Sequence, residues 1–323
     1  MKTTKLSKLK ILSAVALLLI LTVACKEKPK EEDPGAVTPT EERKPFFKLS
    51  LAEWSLHTAI NDGTFNPFDF AQKAKELGFE GIEYVNHLYN KQIDSLGLAA
   101  VLDTLKAKSE KYGVENLLIM VDGEGDLATA DDKARNEAVE NHKKWVDAAA
   151  FLGCHSIRVN LFGSDTPEAW VTNSKKGLHD LAEYAKTKNI NVIVENHGGF
   201  SSDAELLNQV IENAGVDNVG TLPDFGNFCL KREDGKRWDA PCVEEYDRYK
   251  GVEQLMKHAK GVSGKSYDFD ENGNETTIDF ARMLKIVKDS GYTGFIDVEY
   301  EGTRLPEEEG IIATRDLLIK YGQ

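Results

Sequence analysis

From residue 48 to the end of the chain, short β-rich runs alternate with amphipathic stretches of helical period. Eight runs predict strands, at 48–56, 81–86, 114–121, 156–161, 191–195, 219–224, 261–266 and 294–300. The intervening stretches predict helices at 68–77, 98–112, 133–152, 178–188, 204–214, 245–259, 278–290 and 311–321. Such alternation leaves two main architectures, a closed barrel and an open doubly wound sheet.

The segment after the first strand favours the barrel. A dinucleotide-binding open sheet carries a Gly-rich phosphate loop there, and this chain has none. The even spacing and the number of strands therefore predict an α/β fold, a single (β/α)₈ TIM barrel over residues 45–323, with no nucleotide cofactor. In such a barrel the active site forms at the C-terminal ends of the strands.

The first 24 residues have the build of a secretory signal peptide. Four lysines precede an apolar run at 11–23, and 13 residues are too few to span a bilayer, which needs about 20. The sequence Ala24-Cys25 resembles a bacterial lipobox. The resemblance implies cleavage before Cys25 and acylation of its thiol. An ordinary cleaved signal that leaves Cys25 as a spare thiol is the alternative.

Residues 25–44 predict a flexible linker, because they mix prolines with many lysines and glutamates and show no apolar periodicity. We therefore expect an exported lipoprotein, facing the periplasm or the outer surface, that meets the membrane only through its lipid anchor. Signal removal deletes four lysines and no acidic residue, so the formal charge changes from −14 to −18. A chain this acidic repels nucleic acid.

Three cysteines remain after Cys25. Cys229 and Cys242 could pair in an oxidising compartment, which leaves one thiol single. Cys154 is predicted to be buried and inert. None of the three has the spacing of a metal site.

Polar and acidic residues follow the apolar part of most predicted strands. Glu195, Asp224 and Glu299 end strands five, six and eight, where a carboxylate costs folding free energy unless it is paired or binds a cation. The other candidate site residues at strand ends are Trp54, His57, Glu83, His87, Arg158, Asn160, His197, Asn227 and Lys265. Together they predict a site at one end of the barrel.

The segments 192–199 (Val-Ile-Val-Glu-Asn-His-Gly-Gly) and 295–299 (Phe-Ile-Asp-Val-Glu), with Asp224 between them, resemble the sugar phosphate isomerase/epimerase family of xylose-isomerase-like barrels. The resemblance extends over the whole barrel. It implies a divalent metal (Mn²⁺, Mg²⁺, Co²⁺ or Zn²⁺) held by Glu195, Asp224 and Glu299. It also implies that Glu195 and Glu299 move a proton at the carbon next to a sugar carbonyl, through an enediolate.

The sequence departs from the family pattern at two positions. Ser263 stands where the family has a metal-binding His, and Asn227 where many members have another His. Lys265 lies nearby, and its positive charge opposes a metal. Either the metal is held by the carboxylates with water or His197, or Lys265 itself supplies the positive charge.

The remaining candidates have structural alternatives. Arg158 clamps a substrate or forms a structural ion pair; Trp54 stacks on a sugar face or packs in the core. His57, His87 and His197 are candidate acid–base or substrate contacts. Residues 268–273 (Asp-Phe-Asp-Glu-Asn-Gly) resemble the start of a calcium loop, but a strand precedes them, which favours a turn. The charged insertion 231–242 is predicted to cover the barrel mouth.

The sequence thus predicts an enzyme, a sugar isomerase or epimerase whose partner is a small carbohydrate. A lyase or hydrolase of keto-glycosides uses the same proton abstraction and is the first alternative. A non-catalytic sugar-binding lipoprotein that has lost the metal is the second. The sequence leaves open whether the protein forms an oligomer.

Overall fold

The computed structural model of the protein describes residues 44–323. The predicted signal peptide, Cys25 and nearly all of the linker lie outside them. The strands are β1 Lys48–Ala52, β2 Gly81–Val85, β3 Glu115–Val121, β4 Ser156–Val159, β5 Asn191–Glu195, β6 Val219–Leu222, β7 Cys229–Arg232, β8 Cys242–Glu245, β9 Val262–Ser266 and β10 Phe295–Tyr300. The α-helices are α1 His57–Asp62, α2 Phe70–Glu76, α3 Asn90–Leu96, α4 Leu98–Tyr112, α5 Asp132–Leu152, α6 Pro167–Lys186, α7 Ala204–Glu212, α8 Arg248–Leu255, α9 Phe280–Asp289 and α10 Glu307–Tyr321.

Eight of the strands form one parallel sheet in the order β6-β5-β4-β3-β2-β1-β10-β9. The sheet closes between β6 and β9 through three backbone hydrogen bonds: Lys260 N donates to Thr221 O (3.0 Å), Ser263 N to Pro223 O (2.9 Å) and Phe225 N to Ser263 O (3.1 Å). The predicted (β/α)₈ barrel is confirmed. We call the β6–β9 junction the seam.

The alternation of side chains along each strand separates an apolar outer face from a polar interior. In β10, Ile296 and Val298 are fully buried among the apolar core residues, whereas Asp297 and Glu299 point the other way, into the barrel. The register places Asp297 beside Ser263 and Glu299 beside Lys265 of the neighbouring strand. The interior of this barrel is therefore lined with ionisable groups near its C-terminal end.

Side-chain caps fix the starts of several helices. The Asp203 carboxylate accepts the amides of Glu205 and Leu206 at the start of α7, and the Asp279 carboxylate accepts that of Arg282 at the start of α9. Helix α5 ends at Gly153, whose φ of 83° needs a residue without a Cβ.

Element bounds differ from the predictions mainly beside the site. Strand β1 ends at Ala52 instead of residue 56, because the next four residues form a 3₁₀ turn that leads into α1. Helices α1 and α3 were not predicted, and α6 begins at Pro167, eleven residues earlier than expected. Residues 268–275 form a turn, which was favoured because a strand precedes them. The Asp270 carboxylate accepts hydrogen bonds from the backbone amides of Asn272 and Asn274 in the same loop.

The insertion after β6 contains an antiparallel hairpin of β7 and β8. A disulfide joins Cys229 and Cys242, with their Cα atoms 5.8 Å apart, and the predicted pairing is confirmed. Cys154 is a free, buried thiol, also as predicted. Within residues 44–323, none of the helices is long and apolar enough to cross a membrane.

Candidate active site

A cavity of about 870 Å³ opens at the C-terminal end of the barrel. Glu299 and Arg158 contribute to its floor, and Trp54, His87 and Tyr267 contribute to its walls. The hairpin insertion forms part of its boundary through Arg232, Arg237 and Trp238, so the prediction that this segment covers the barrel mouth is confirmed.

Glu195, Asp224 and Glu299 converge beneath the floor of this cavity, and of the three only Glu299 lines it. One carboxylate oxygen from each lies within 4.8 Å of the others, and all three side chains are buried. Asp224 Oδ1 accepts the amides of Gly226 and Asn227, both at 2.7 Å, whereas its Oδ2 is buried without a hydrogen-bond partner. We refer to these three residues as the carboxylate triad.

The two positions that depart from the family pattern both contact the triad. The Ser263 hydroxyl donates to Glu299 Oε2 at 3.1 Å, and the Asn227 amide donates to Glu195 Oε1 at 3.0 Å. Both residues hold a carboxylate by neutral hydrogen bonds. Neither brings a further metal ligand of the imidazole type.

Lys265 is the buried cation beside the triad. Its ammonium lies 3.2 Å from Glu299 Oε1, 3.1 Å from Glu301 Oε2 and 3.8 Å from Asp224 Oδ2, and the residue is only 1% exposed. Gly226 makes room for it, since a Cβ there would lie 2.9 Å from Lys265 Cδ. The lysine is therefore built into the site.

The charges of this cluster perturb one another. Burial alone would lower the pKa of Lys265, but the three carboxylates outweigh it and hold the pKa well above 10.5. Burial raises the pKa of Glu299 to about 8 and that of Asp224 to about 7, although Lys265 opposes both shifts. Burial therefore disfavours the charged forms of Glu299 and Asp224, and the neighbouring ammonium of Lys265 favours them.

Arg158 organises the opposite side of the triad. Its Nε lies 2.9 Å from Glu195 Oε2, and its Nη1 donates to Asp122 Oδ1 at 2.8 Å. Burial disfavours the charged form of Asp122, but Arg158 and His197 outweigh it and lower the pKa of Asp122 to about 2. Arg158 therefore forms an ion pair that fixes Glu195, and it also faces the cavity.

Trp54 forms an aromatic wall next to the triad. Its indole stacks on the His57 ring, with centroids 4.2 Å apart and planes 9° from parallel, and its Nε1 donates to Glu301 Oε1. His57 supports Trp54 and is not among the residues that line the cavity. The direct contact of His57 with a substrate stays a prediction.

Three further predicted residues form a chain across the cavity wall. His197 Nδ1 lies 2.8 Å from Asn160 Oδ1, and the Asn160 amide donates to Asp122. His87 Nδ1 lies 3.8 Å from Asp122 Oδ2. Burial lowers the pKa of both histidines. All of these side chains reach the cavity.

Glu83 is buried and is not among the residues that line the cavity, and its contact with a substrate stays a prediction. Ser50 donates to its Oε1 at 2.9 Å, and burial raises the pKa of Glu83 to about 7. Asp297 is buried beside it with both oxygens unpaired, and burial raises its pKa well above 3.8. The sequence-based selection missed Asp297; its position two residues before Glu299, on the same face of the strand, was the available signal.

The selection of candidates also omitted cavity residues that come from loops. Trp238, Arg237 and Phe162 line the cavity but do not end a strand. Asp122 and Glu301, which directly follow β3 and β10, also line the cavity. Trp238, Arg237 and Phe162 could not be placed from strand periodicity, because side chains in loops do not alternate between two faces as those of a strand do.

A comparison with known protein families identifies the family to which this barrel belongs. The family described as xylose isomerase-like TIM barrel matches residues 71–321. The chain belongs to this family. The match begins in α2 and runs to the last residues of α10, so it includes the whole triad and the hairpin insertion.

Several solved structures share the fold at low sequence identity. The 3-keto-D-glucoside 4-epimerase of E. coli is 14% identical, with a TM-score of 0.61, over 84% of this chain and 98% of that one. The IOLI protein, solved with a zinc atom, is 16% identical, with a TM-score of 0.63, over 85% and 99%. A sugar phosphate isomerase/epimerase of Parabacteroides distasonis is 15% identical, with a TM-score of 0.63, over 87% and 95%.

One curated relative is closer in sequence but only locally. The alpha subunit of 3'-dehydrocarminate deglycosidase from Microbacterium sp. is 46% identical over 48 residues. The match covers 15% of this chain and only 14% of that protein, so it does not extend to the relative as a whole.

Proposed function

We propose that this protein is a sugar isomerase or epimerase that moves a proton at the carbon next to a carbonyl group. The observation that carries the proposal is the carboxylate triad, buried at the base of a cavity large enough for a sugar derivative. Family membership and the named epimerases among the structural relatives support it.

The triad fits a divalent cation. Carboxylate oxygens are the donors that Mg²⁺ and Mn²⁺ prefer, and they also bind Zn²⁺. The buried Asp224 Oδ2 has no hydrogen-bond partner, so a ligand-free oxygen faces the cluster. Glu195, Asp224 and Glu299 would hold the cation, which when bound supplies polarisation of the sugar's carbonyl and hydroxyl oxygens.

The two glutamates would carry the proton transfer. Glu195, fixed by Arg158 and Asn227, would remove the proton from the carbon, and Glu299, on β10, would return one. Epimerisation requires acid and base on two faces of the substrate. The Lys265 ammonium would stabilise the negative charge that develops on the substrate oxygen.

Lys265 also allows a reaction without a metal, because it brings one permanent positive charge to the triad. The substrate would be a neutral sugar or derivative, since the acidic chain disfavours phosphorylated ones. His87, His197, Asn160 and Trp54 would contact its hydroxyl groups and ring face.

Metal content and thermal unfolding test the proposal. We expect the folded domain to carry about one equivalent of divalent metal, to lose melting temperature on chelation, and to regain it with Mn²⁺, Mg²⁺, Co²⁺ or Zn²⁺. Keto-sugars should then exchange their α-proton with deuterated solvent. Metal binding with no such exchange for any keto-sugar would overturn the epimerase proposal.

A lyase or hydrolase of keto-glycosides is the second candidate, favoured by the local match to a deglycosidase subunit. It begins with the same proton abstraction but ends with loss of the group on the neighbouring carbon. Release of that group from a keto-glycoside separates it from epimerisation. Sugar binding with neither product would instead indicate the non-catalytic binding lipoprotein.

We also propose export and acylation at Cys25. The disulfide between Cys229 and Cys242 supports an oxidising compartment. Cys25→Ser should move the protein from the membrane fraction to the soluble fraction of a cell that processes lipoproteins. An unchanged membrane fraction would contradict the anchor.

A further inference from the structure

The cavity extends well past the carboxylate triad. Cavities of about 300–1,000 Å³ enclose molecules of drug size, and this one measures about 870 Å³. One sugar ring at the triad therefore leaves much of the volume unfilled. The remaining space lies under the hairpin insertion, which we call the flap (residues 229–245).

The outer part of the cavity is aromatic. The Trp238 ring of the flap lies 4.8 Å from the His197 ring and 5.8 Å from that of Phe162, measured between centroids. The Arg237 guanidinium lies 4.2 Å above the Phe162 ring and contacts Asp126 at 3.4 Å. Trp238 is 39% exposed, although tryptophan side chains are highly buried on average.

The flap is attached directly to the triad. Asn227, which donates to Glu195, lies two residues before Cys229, and Phe228 between them is fully buried. The disulfide from Cys229 to Cys242 closes the base of the hairpin. The aromatic wall is therefore held at a fixed place relative to the carboxylates, as a binding subsite requires.

We propose that Trp238, Phe162 and His197 form a second subsite, which binds a ring joined through a glycosidic bond to the sugar at the triad. The substrate class is then a glycoside and not a free monosaccharide. Aromatic rings stack on the apolar faces of other rings and bury large areas. The inference rests on the proposed function, which places the reacting sugar at the carboxylate triad. It adds a binding subsite for the ring that is linked to that sugar.

Affinity for paired glycosides tests the subsite. Methyl and phenyl β-glycosides of glucose, galactose and xylose would be compared by calorimetry with the full domain. We expect phenyl glycosides of the preferred sugar to bind about tenfold more tightly than methyl glycosides. Trp238→Ala should remove most of that preference and leave the methyl glycoside's affinity within about twofold. Trp238→Phe should keep part of it.

Phe151→Ala is the matched control, because Phe151 is an exposed aromatic of α5 (41%) outside the cavity. Phe151→Ala should leave the ratio of the affinities for phenyl and methyl glycosides unchanged. Equal affinity for methyl and phenyl glycosides, or a preference that survives Trp238→Ala, would overturn the subsite and leave the epimerase proposal standing. Binding of none of these glycosides would overturn the subsite, whereas metal-dependent exchange of keto-sugars would still uphold the reaction.

Discussion

Replacing Lys265 by Met removes the one buried ammonium from a group of three acids. At an effective dielectric constant of about 20, two unit charges interact by about 5 kcal/mol at the 3.2 Å that separates Lys265 Nζ from Glu299 Oε1. Desolvation offsets part of this attraction, and breaking a buried ion pair costs about 3–5 kcal/mol in practice. In metal-free protein we therefore expect Lys265→Met to lower the melting temperature by about 10 °C.

A divalent cation should reverse much of that loss. Without the Lys265 ammonium, a divalent cation that binds the carboxylate triad no longer meets the repulsion of a positive charge beside it. We expect the affinity for Mn²⁺ to rise at least about tenfold in Lys265→Met. Binding to the folded state alone stabilises it by about 2.7 kcal/mol at a ligand concentration of 100 Kd. The Mn²⁺-induced rise in melting temperature should therefore be larger in the variant than in the wild-type protein.

Differential scanning fluorimetry with chelator or with Mn²⁺ would measure both effects, and calorimetry would give the affinities. Lys108→Met is the control, since Lys108 pairs with Asp69 at 2.8 Å on the surface, with 30% and 46% of the two side chains exposed. Such a pair contributes about 0–1 kcal/mol. If Lys265→Met unfolds no earlier than Lys108→Met, or gains no more from Mn²⁺ than wild type does, the assigned charge balance is wrong.

Three further predictions follow from single buried contacts. Glu299→Gln should abolish turnover and leave the fold intact by circular dichroism; retained activity would exclude Glu299 from the proton transfer. Burial raises the pKa of Glu53 from 4.5 to about 8. The protonated group therefore stabilises the fold fully below pH 4.5, and this contribution is lost as the pH rises through 8. Glu53→Gln should flatten the fall in urea midpoint between pH 5 and 8, and an unchanged slope would refute this. Gly177→Ala places a Cβ against the backbone oxygen of Leu127 and should cost about 1–3 kcal/mol in urea unfolding; an unchanged urea midpoint would contradict this packing.

The barrel could be predicted because each of its strands and helices is recognisable from a short stretch of sequence. Each strand of a parallel barrel is a short apolar run, and each helix has its own period, so neither requires knowledge of a partner. The ends of strands then mark the site by a general rule, and Glu195, Asp224 and Glu299 were found in that way. Their convergence within 4.8 Å is what the rule implies.

The electrostatics of the site depend on pairings that a linear sequence does not contain. Lys265 was expected either to oppose a metal or to replace it, and only the register beside Glu299 shows which carboxylates it contacts. Glu83 was grouped with the residues at strand ends, but it lies in the middle of β2, where it accepts a hydrogen bond from Ser50 of the neighbouring strand and does not line the cavity. Trp238 lies in an insertion whose position depends on a disulfide.

The seam described above has a consequence for how this barrel opens. Most neighbouring strands are joined by continuous ladders, but β6 and β9 meet through three backbone hydrogen bonds. Asp224 lies on one side of that junction, and Glu299, through β10, belongs to the other. A ligand held by both carboxylates would link the two sides of the seam. Amide hydrogen exchange at Ser263 and Phe225 would then slow on ligand binding more than exchange in the β2–β3 ladder.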